Sequence, residues 1–288
     1  MLTTGLYTLH SAAIKPPKTM PIEIWPFGDI HRNAPLCDVD LWKQFLSEAQ
    51  AAVKDKSKYV VFLGMGDYDD LMCASERAMI ATGKLHESTL ETLEDFAKSK
   101  TAQLAEELSF MRGRLLGLVN GNHYFDFQSG ITSDELLCEH LRCKFLGVSA
   151  MVRLTIDHFG RKKTLDLWAH HGKGASRMIG GSLNRVEQMR EAAHMDIYLM
   201  GHDHRKAVAP VDCLELSTQS SRSGEMTLRH KVQLLCRTGS FLKAYSPGKA
   251  SYIADKAGSP CSLGNIVIQI RPRLVKDGHY DWDLHGWS

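Results

Sequence analysis

The sequence predicts an α/β fold built on a largely parallel sheet. Two observations carry this. Short continuous apolar runs such as Tyr59–Leu63 and Leu115–Val119 suit strands buried on both faces. They alternate with longer segments of helical character, and most of the runs end at a glycine followed by Asp, Asn or His.

The elements follow in order. Residues 1–20 are mixed in character, broken at Lys15-Pro16-Pro17-Lys18, and read as an N-terminal arm ahead of one domain at 21–288. Ile22–Trp25 reads as a short strand. From Asp38 to Lys54, apolar residues at Leu41, Trp42, Phe45, Leu46, Ala49 and Val53 recur at helical spacing, with Asp38 or Asp40 as the cap. Residues 71–112 are rich in Ala, Leu, Glu, Lys and Met, and Gly83 with the Ser88–Glu91 capping pattern divides them into at least two helices. A helix is expected over 133–142. Val148–Ile156 and Lys163–Trp168 read as a hairpin turning at Phe159-Gly160-Arg161. Leu183–Ala193 is helical and Ile197–Met200 a strand. Further strand-like runs are Leu214–Leu216, Lys231–Cys236 and Asn265–Ile270.

Composition excludes several classes. The 288 residues are 43% hydrophobic and 24% charged, as in an ordinary globular protein. A net charge of +2 argues neither for nucleic acid nor against it. No apolar run approaches the roughly 18–20 residues of a membrane span, and the first 20 residues do not read as a signal peptide. The seven scattered cysteines, with no Cys-x-x-Cys pair, suit reduced thiols in the cytoplasm.

Five motifs carry the chemistry. They are Gly28-Asp29-Ile30-His31, Gly66-Asp67-Tyr68-Asp69-Asp70, Gly121-Asn122-His123, His170-His171-Gly172 and Gly201-His202-Asp203-His204. Asp and Asn offer the oxygen donors that hard divalent ions take, and imidazole suits borderline ions. In an extended segment, residues two apart point the same way, so Asp29 with His31, and His202 with His204, can grip one ion. Any one motif has an ordinary explanation, since Asp and Asn beside Gly also make turns. Five in this order do not.

In this order and spacing the chain resembles the calcineurin-like metallophosphoesterase superfamily, over roughly residues 22–240. The resemblance implies a four-layer α/β/β/α sandwich of two mixed sheets flanked by helices. It implies two divalent ions, Mn²⁺ first, with Mg²⁺, Zn²⁺ or Fe as alternatives. One ion falls to Asp29, His31, Asp67 and His204; the other to Asp67, Asn122, His170 and His202, with Asp67 shared. His170 is preferred to His171 because it directly follows the apolar run Leu167-Trp168-Ala169. His123 is not a ligand; it faces the substrate and assists the departing oxygen. Tyr124 stands where an acid is common after this motif, with Asp126 two residues on, which leaves open what holds His123. Asp70 reads as structural, and Asp203 as facing away from the metals.

The implied reaction is hydrolysis of a phosphodiester of a nucleotide or nucleic acid by in-line attack of a metal-bridging hydroxide. A small-molecule phosphomonoesterase is the alternative, and a non-catalytic interaction scaffold on the same fold the remote one. The glycine-rich segment 172–182 brings Lys173 and Arg177 as candidates to hold a phosphate oxygen.

Overall fold

The structure is a computed structural model that describes residues 7–83, 85–158, 161–174, 178–217, 227–255, 257–274 and 280–288. Two mixed sheets stack face to face. The first has the order β12-β11-β2-β3-β4, from Tyr280–Trp287, Val267–Leu274, Ile22–Phe27, Tyr59–Gly64 and Leu115–Leu118. The second has the order β1-β5-β6-β7-β9-β10, from Tyr7–Ile14, Ser149–His158, Arg161–His170, Ile197–Met200, Thr227–Ser240 and Gly264–Asn265, with β8 (Lys206–Ser217) paired to β9.

Between the sheets lies one apolar core. The first sheet gives it Ile22, Ile24, Val61, Leu63, Ile268 and Ile270; the second gives Val152, Leu154, Leu165, Leu167, Ile197, Leu199 and Leu234. Burying each such side chain is worth about 1.5–3 kcal/mol before chain entropy. On the outer face of the first sheet pack α1 (Val39–Lys54), α3 (Glu87–Glu107) and α4 (Ser133–Leu141), through Trp42, Phe45, Leu104, Leu137 and Leu141 against Phe27, Phe62 and Val60. On the outer face of the second packs α5 (Ile179–Ala192), through Val186 and Met189 against Tyr198 and Leu235. The order helix, sheet, sheet, helix is the expected four-layer sandwich. The small helices α2 (Ala74–Ala81) and α6 (Tyr252–Asp255) lie in connections.

Helix α1 starts where the sequence places it: Asp38 accepts the Leu41 amide at 3.3 Å and caps the first turn. The arm expected over residues 1–20 is instead a strand in its middle. β1 adds to the sheet edge parallel to β5, from Tyr7 opposite Ser149 to Ile14 opposite Ile156, and Ala12 and Ile14 pack against the inter-sheet core. The alternation was hard to read because polar Thr8 and His10 occupy its more buried face while Tyr7 and Leu9 face outward. The β5–β6 hairpin forms as expected, although Phe159 and Gly160 of its turn lie outside the described residues. β12 was not anticipated. It pairs antiparallel with β11 from Trp287 opposite Val267 to Tyr280 opposite Leu274. All seven cysteines are free, and no helix among the described residues is long and apolar enough to cross a membrane.

Candidate metal centre

The loops that follow β2, β3, β4, β6 and β7 meet at one end of the sandwich, between the two sheets, and these loops are the five motifs. They are stitched to one another through their own acids. Asp67 Oδ1 accepts the amides of Asn122 at 2.5 Å and His123 at 2.9 Å. Asp29 Oδ2 accepts the His202 amide at 2.9 Å. The Asp67 carbonyl accepts the amides of Ile30 and His31, at 2.9 and 3.1 Å. Ser240 Oγ and the Phe241 amide hold the Asp29 carbonyl, at 2.8 and 3.0 Å. Two motif glycines exist for close approach: a Cβ on Gly121 would sit 2.1 Å from Asp67 Oδ1, and one on Gly201 would sit 2.7 Å from Asp29 Oδ2.

This convergence strains the backbone. Asp29, His31, Asp67, His202 and His204 all have positive φ, from 46° to 73°, and among the described residues only Asn33, Arg142 and Ala257 share that state without being glycine. Such conformations cost on the order of 1–3 kcal/mol each and persist where surrounding structure over-determines them.

The side chains form two adjoining groups and a third that overlaps both. Asp29, His31 and His204 have ligand atoms within 4.8 Å of one another, as do Asp67, His171 and His202, and as do His31, Asp67 and His123. In the first, the Nε2 atoms of His31 and His204 are 3.2 Å apart, and His204 Nε2 is 3.6 Å from Asp29 Oδ1. In the second, His171 Nε2 lies 2.9 Å from Asn122 Oδ1 and 3.3 Å from His202 Nδ1. Asp67 Oδ2 stands between the groups, 3.7 Å from His31 Nε2 and 3.3 Å from His171 Nε2. Its other oxygen is occupied by the two amides, so Oδ2 is the one presented to both.

The donor set fits divalent cations. Asp29 is fully buried, and its Oδ1 has no hydrogen-bond partner; an orphaned buried carboxylate oxygen is costly unless an ion satisfies it. The electrostatics of the protein alone are divided. Burial pushes Asp29 up to about 7. Burial also acts upward on Asp67, but His171 and His31 outweigh it and hold that carboxyl well below its usual range. His171 rises to about 9, its burial overcome by Asp67. His202 falls to about 4 through burial and the charge of His171. Neutral imidazoles with ionised carboxylates are the state a bound cation requires.

One expected ligand is corrected. His171, not His170, turns into the cluster. Along β6, Leu165, Leu167 and Ala169 face the inter-sheet core while Asp166 and Trp168 face away. His171 continues the inward phase past the strand end and is 3% exposed. His170 is on the other phase, where its Nδ1 accepts the Gly172 amide at 2.7 Å. Alternation along this strand was the signal in the sequence that separates the two.

A second residue was missed. Asp70, read as structural, places Oδ1 2.5 Å from His123 Nδ1 and 3.7 Å from His31 Nδ1. Although burial opposes it, hydrogen bonds from His123 and His31 keep Asp70 ionised. The acid that holds His123 therefore comes from the second motif, not from the residue after the third. Its signal was its place three residues after Asp67. Asp203 turns from the ligands to a buried pair with Arg237 at 3.3 Å. Lys173 is exposed, its carbonyl held by Arg185; Arg177 lies outside the described residues.

No protein-family model and no curated protein matches the chain. Solved structures similar to it include Vps29 proteins. Vps29 of Chaetomium thermophilum is 10% identical, with 92% of this chain and 95% of that chain covered, at a TM-score of 0.35. A single mutant of Entamoeba histolytica Vps29 is 13% identical, with 92% and 99% covered, at 0.35. Wild-type Entamoeba histolytica Vps29 complexed with Zn²⁺ is 15% identical, with 64% and 87% covered, at 0.27. In the order of its motifs and in its four layers, the chain resembles the calcineurin-like metallophosphoesterase superfamily.

Proposed function

We propose that the chain is a dinuclear-metal-dependent phosphoesterase whose substrate is a phosphodiester of a nucleotide or nucleic acid. The observation that supports it is Asp67: one carboxylate oxygen directed between two groups of ligand atoms, with His123 fixed alongside by Asp70. Asp29, His31, Asp67 and His204 would hold one ion, and Asp67, Asn122, His171 and His202 the other. Bound there, two divalent ions would supply positive charge for the phosphoryl oxygens and would lower the pKa of a water nucleophile.

The chain's own groups do the rest. Asp70 occupies His123 Nδ1, which orients the ring and leaves Nε2 for the departing oxygen of the ester. The His31 and His123 rings meet edge to face at 4.7 Å, and a ring nitrogen of His123 lies within 4.8 Å of ligand atoms of His31 and Asp67, so the acid adjoins the ligand cluster; the Asp70 bond at Nδ1 is what reserves it for the substrate in this reading.

The test is an activity panel on Mn²⁺-supplemented protein, with bis-p-nitrophenyl phosphate, p-nitrophenyl phosphate, and single- and double-stranded DNA. Metal-dependent hydrolysis of the diesters is expected. Monoester turnover alone would replace the substrate class with the small-molecule phosphomonoester. Folded protein that takes up metal and hydrolyses nothing would instead be a non-catalytic interaction scaffold on this fold; the complete ligand set and the Asp70–His123 pair are what speak against that.

A further inference from the structure

The loop that carries Asn122 and His123 is gripped by a segment that the motifs do not include. Arg77, in helix α2, directs its Nη1 at three main-chain carbonyls: Met72 at 2.6 Å, Asn122 at 2.9 Å and Tyr124 at 3.1 Å. The two hydrogens of that nitrogen are shared among three acceptors. Its Nε faces Asp126 Oδ2 at 3.5 Å, and its Cζ lies 3.8 Å from the centre of the Tyr124 ring. The amides of Leu71 and Met72 donate to the His123 carbonyl, at 3.1 and 3.4 Å. The carbonyls of residues 122, 123 and 124 are thus all bound by residues 71–77.

We propose that Arg77 is a positioning residue for His123. It fixes the main chain beneath the imidazole while Asp70, at the head of the same segment, fixes the ring. Tyr124 belongs to this device: where an acid would pair through its side chain, this chain places an aromatic face under a guanidinium and takes the grip through carbonyls. The proposal rests on reading the site as a phosphoesterase centre. Geometry is what it protects, because misplacing a catalytic group by about 1 Å can cost on the order of 10²-fold in rate. Lysine would not replace arginine, since an ammonium lacks the planar fork and the stacking face.

The experiment compares the Mn²⁺-loaded full chain with Arg77→Met, which keeps the stem and removes the donors, and with Arg77→Lys. Three quantities are read on the same preparations: metal content, deuterium exchange of peptides spanning 118–126, and kcat and KM for diesters with good and poor leaving groups. In Arg77→Met, exchange across 121–125 should rise about tenfold or more, with metal content unchanged. Its kcat should fall roughly 10- to 100-fold on the poor leaving group and less on p-nitrophenolate, with KM nearly constant. Arg77→Lys should fall between that variant and the wild type. Wild-type exchange at 121–125 in Arg77→Met would overturn the proposal, as would an equal kcat loss on both leaving groups. If the wild type has no turnover but the exchange result appears, the phosphoesterase reading fails and the grip on the loop stands.

Discussion

The two ends of the sandwich both gather acids, and they treat them in opposite ways. Where β6 and β9 begin, a cleft of about 400 Å³ is lined by Lys163, Asp196, Glu215, Arg229, Lys231 and Asp281 among others. Every acid named there has a cation. Asp281 meets Lys163 at 2.6 Å and Arg229 at 3.5 Å; Asp196 meets Lys231 at 2.7 Å; Glu215 meets Arg229 at 3.1 Å. The backbone of these residues is unstrained, with none at positive φ. Where the motif strands end, Asp29 and Asp67 meet, among the described residues, imidazoles and main-chain amides; one oxygen of Asp29 has no hydrogen bond, and five site residues are in the left-handed region. A charged cleft alone would choose the first end. An unsatisfied carboxylate oxygen on a strained backbone chooses the second, because structure tolerates both costs only where something else uses them.

The contrast breaks most readily at Asp67. Asp67→Asn should abolish turnover and weaken metal binding at both positions, since one residue serves both groups and also caps the amides of Asn122 and His123. Elemental analysis with rates on the same sample checks it. If the variant keeps both ions, the shared carboxylate is misassigned.

His123→Ala should come next. It should retain both ions and lose turnover by roughly 10²–10⁴-fold on poor leaving groups, less on p-nitrophenolate. Loss of an ion would make His123 a ligand; a normal rate on a poor leaving group would remove its role as an acid.

The neighbouring histidines sharpen the comparison within a single dipeptide. His171→Ala should empty the second position and lower turnover at least about 100-fold. His170→Ala, a change on the outward phase, should stay within about threefold, the range of ordinary partly exposed substitutions. Reversed effects would mean that β6 enters the site in the other phase.

At the opposite end, Asp281→Asn should leave turnover unchanged and lower stability by about 1–3 kcal/mol. Burial acts to raise the Asp281 carboxyl, but Lys163 and the Trp282 amide outweigh it and set it below its usual value. A carboxyl lowered in the folded state contributes stability above its unfolded pKa, near 4, and loses it as pH falls through the folded value. The deficit of the variant in denaturant melts should therefore be full at pH 7 and shrink below about pH 4. A deficit independent of pH would assign it to packing.

Much of this was legible in the sequence. Tyr59–Gly64, Leu115–Leu118 and Ile197–Met200 are buried strands that read as apolar runs, and each delivers its motif to the same rim. What escaped depends on phase and on partners distant in the chain. His170 and His171 are chemically identical and differ only in which side of the pleat they continue. Asp70 gains its role from His123, 53 residues away. β1 is held by pairing with β5 and turns Tyr7 and Leu9 outward while Thr8 and His10 share the inner face with Ala12 and Ile14, so its apolar residues mark no single face. Arg77 acts through main-chain carbonyls, which leave no mark in a sequence.

The central claim is that one carboxylate is shared by two ions. It is tested most directly by anomalous diffraction from crystals soaked in Mn²⁺, with elemental analysis of the same protein. Two ions per chain are expected, roughly 3.5–4 Å apart, both in contact with Asp67, one of them on His171 and neither on His170. A fully loaded protein with one ion, or with its ions away from Asp67, would contradict it.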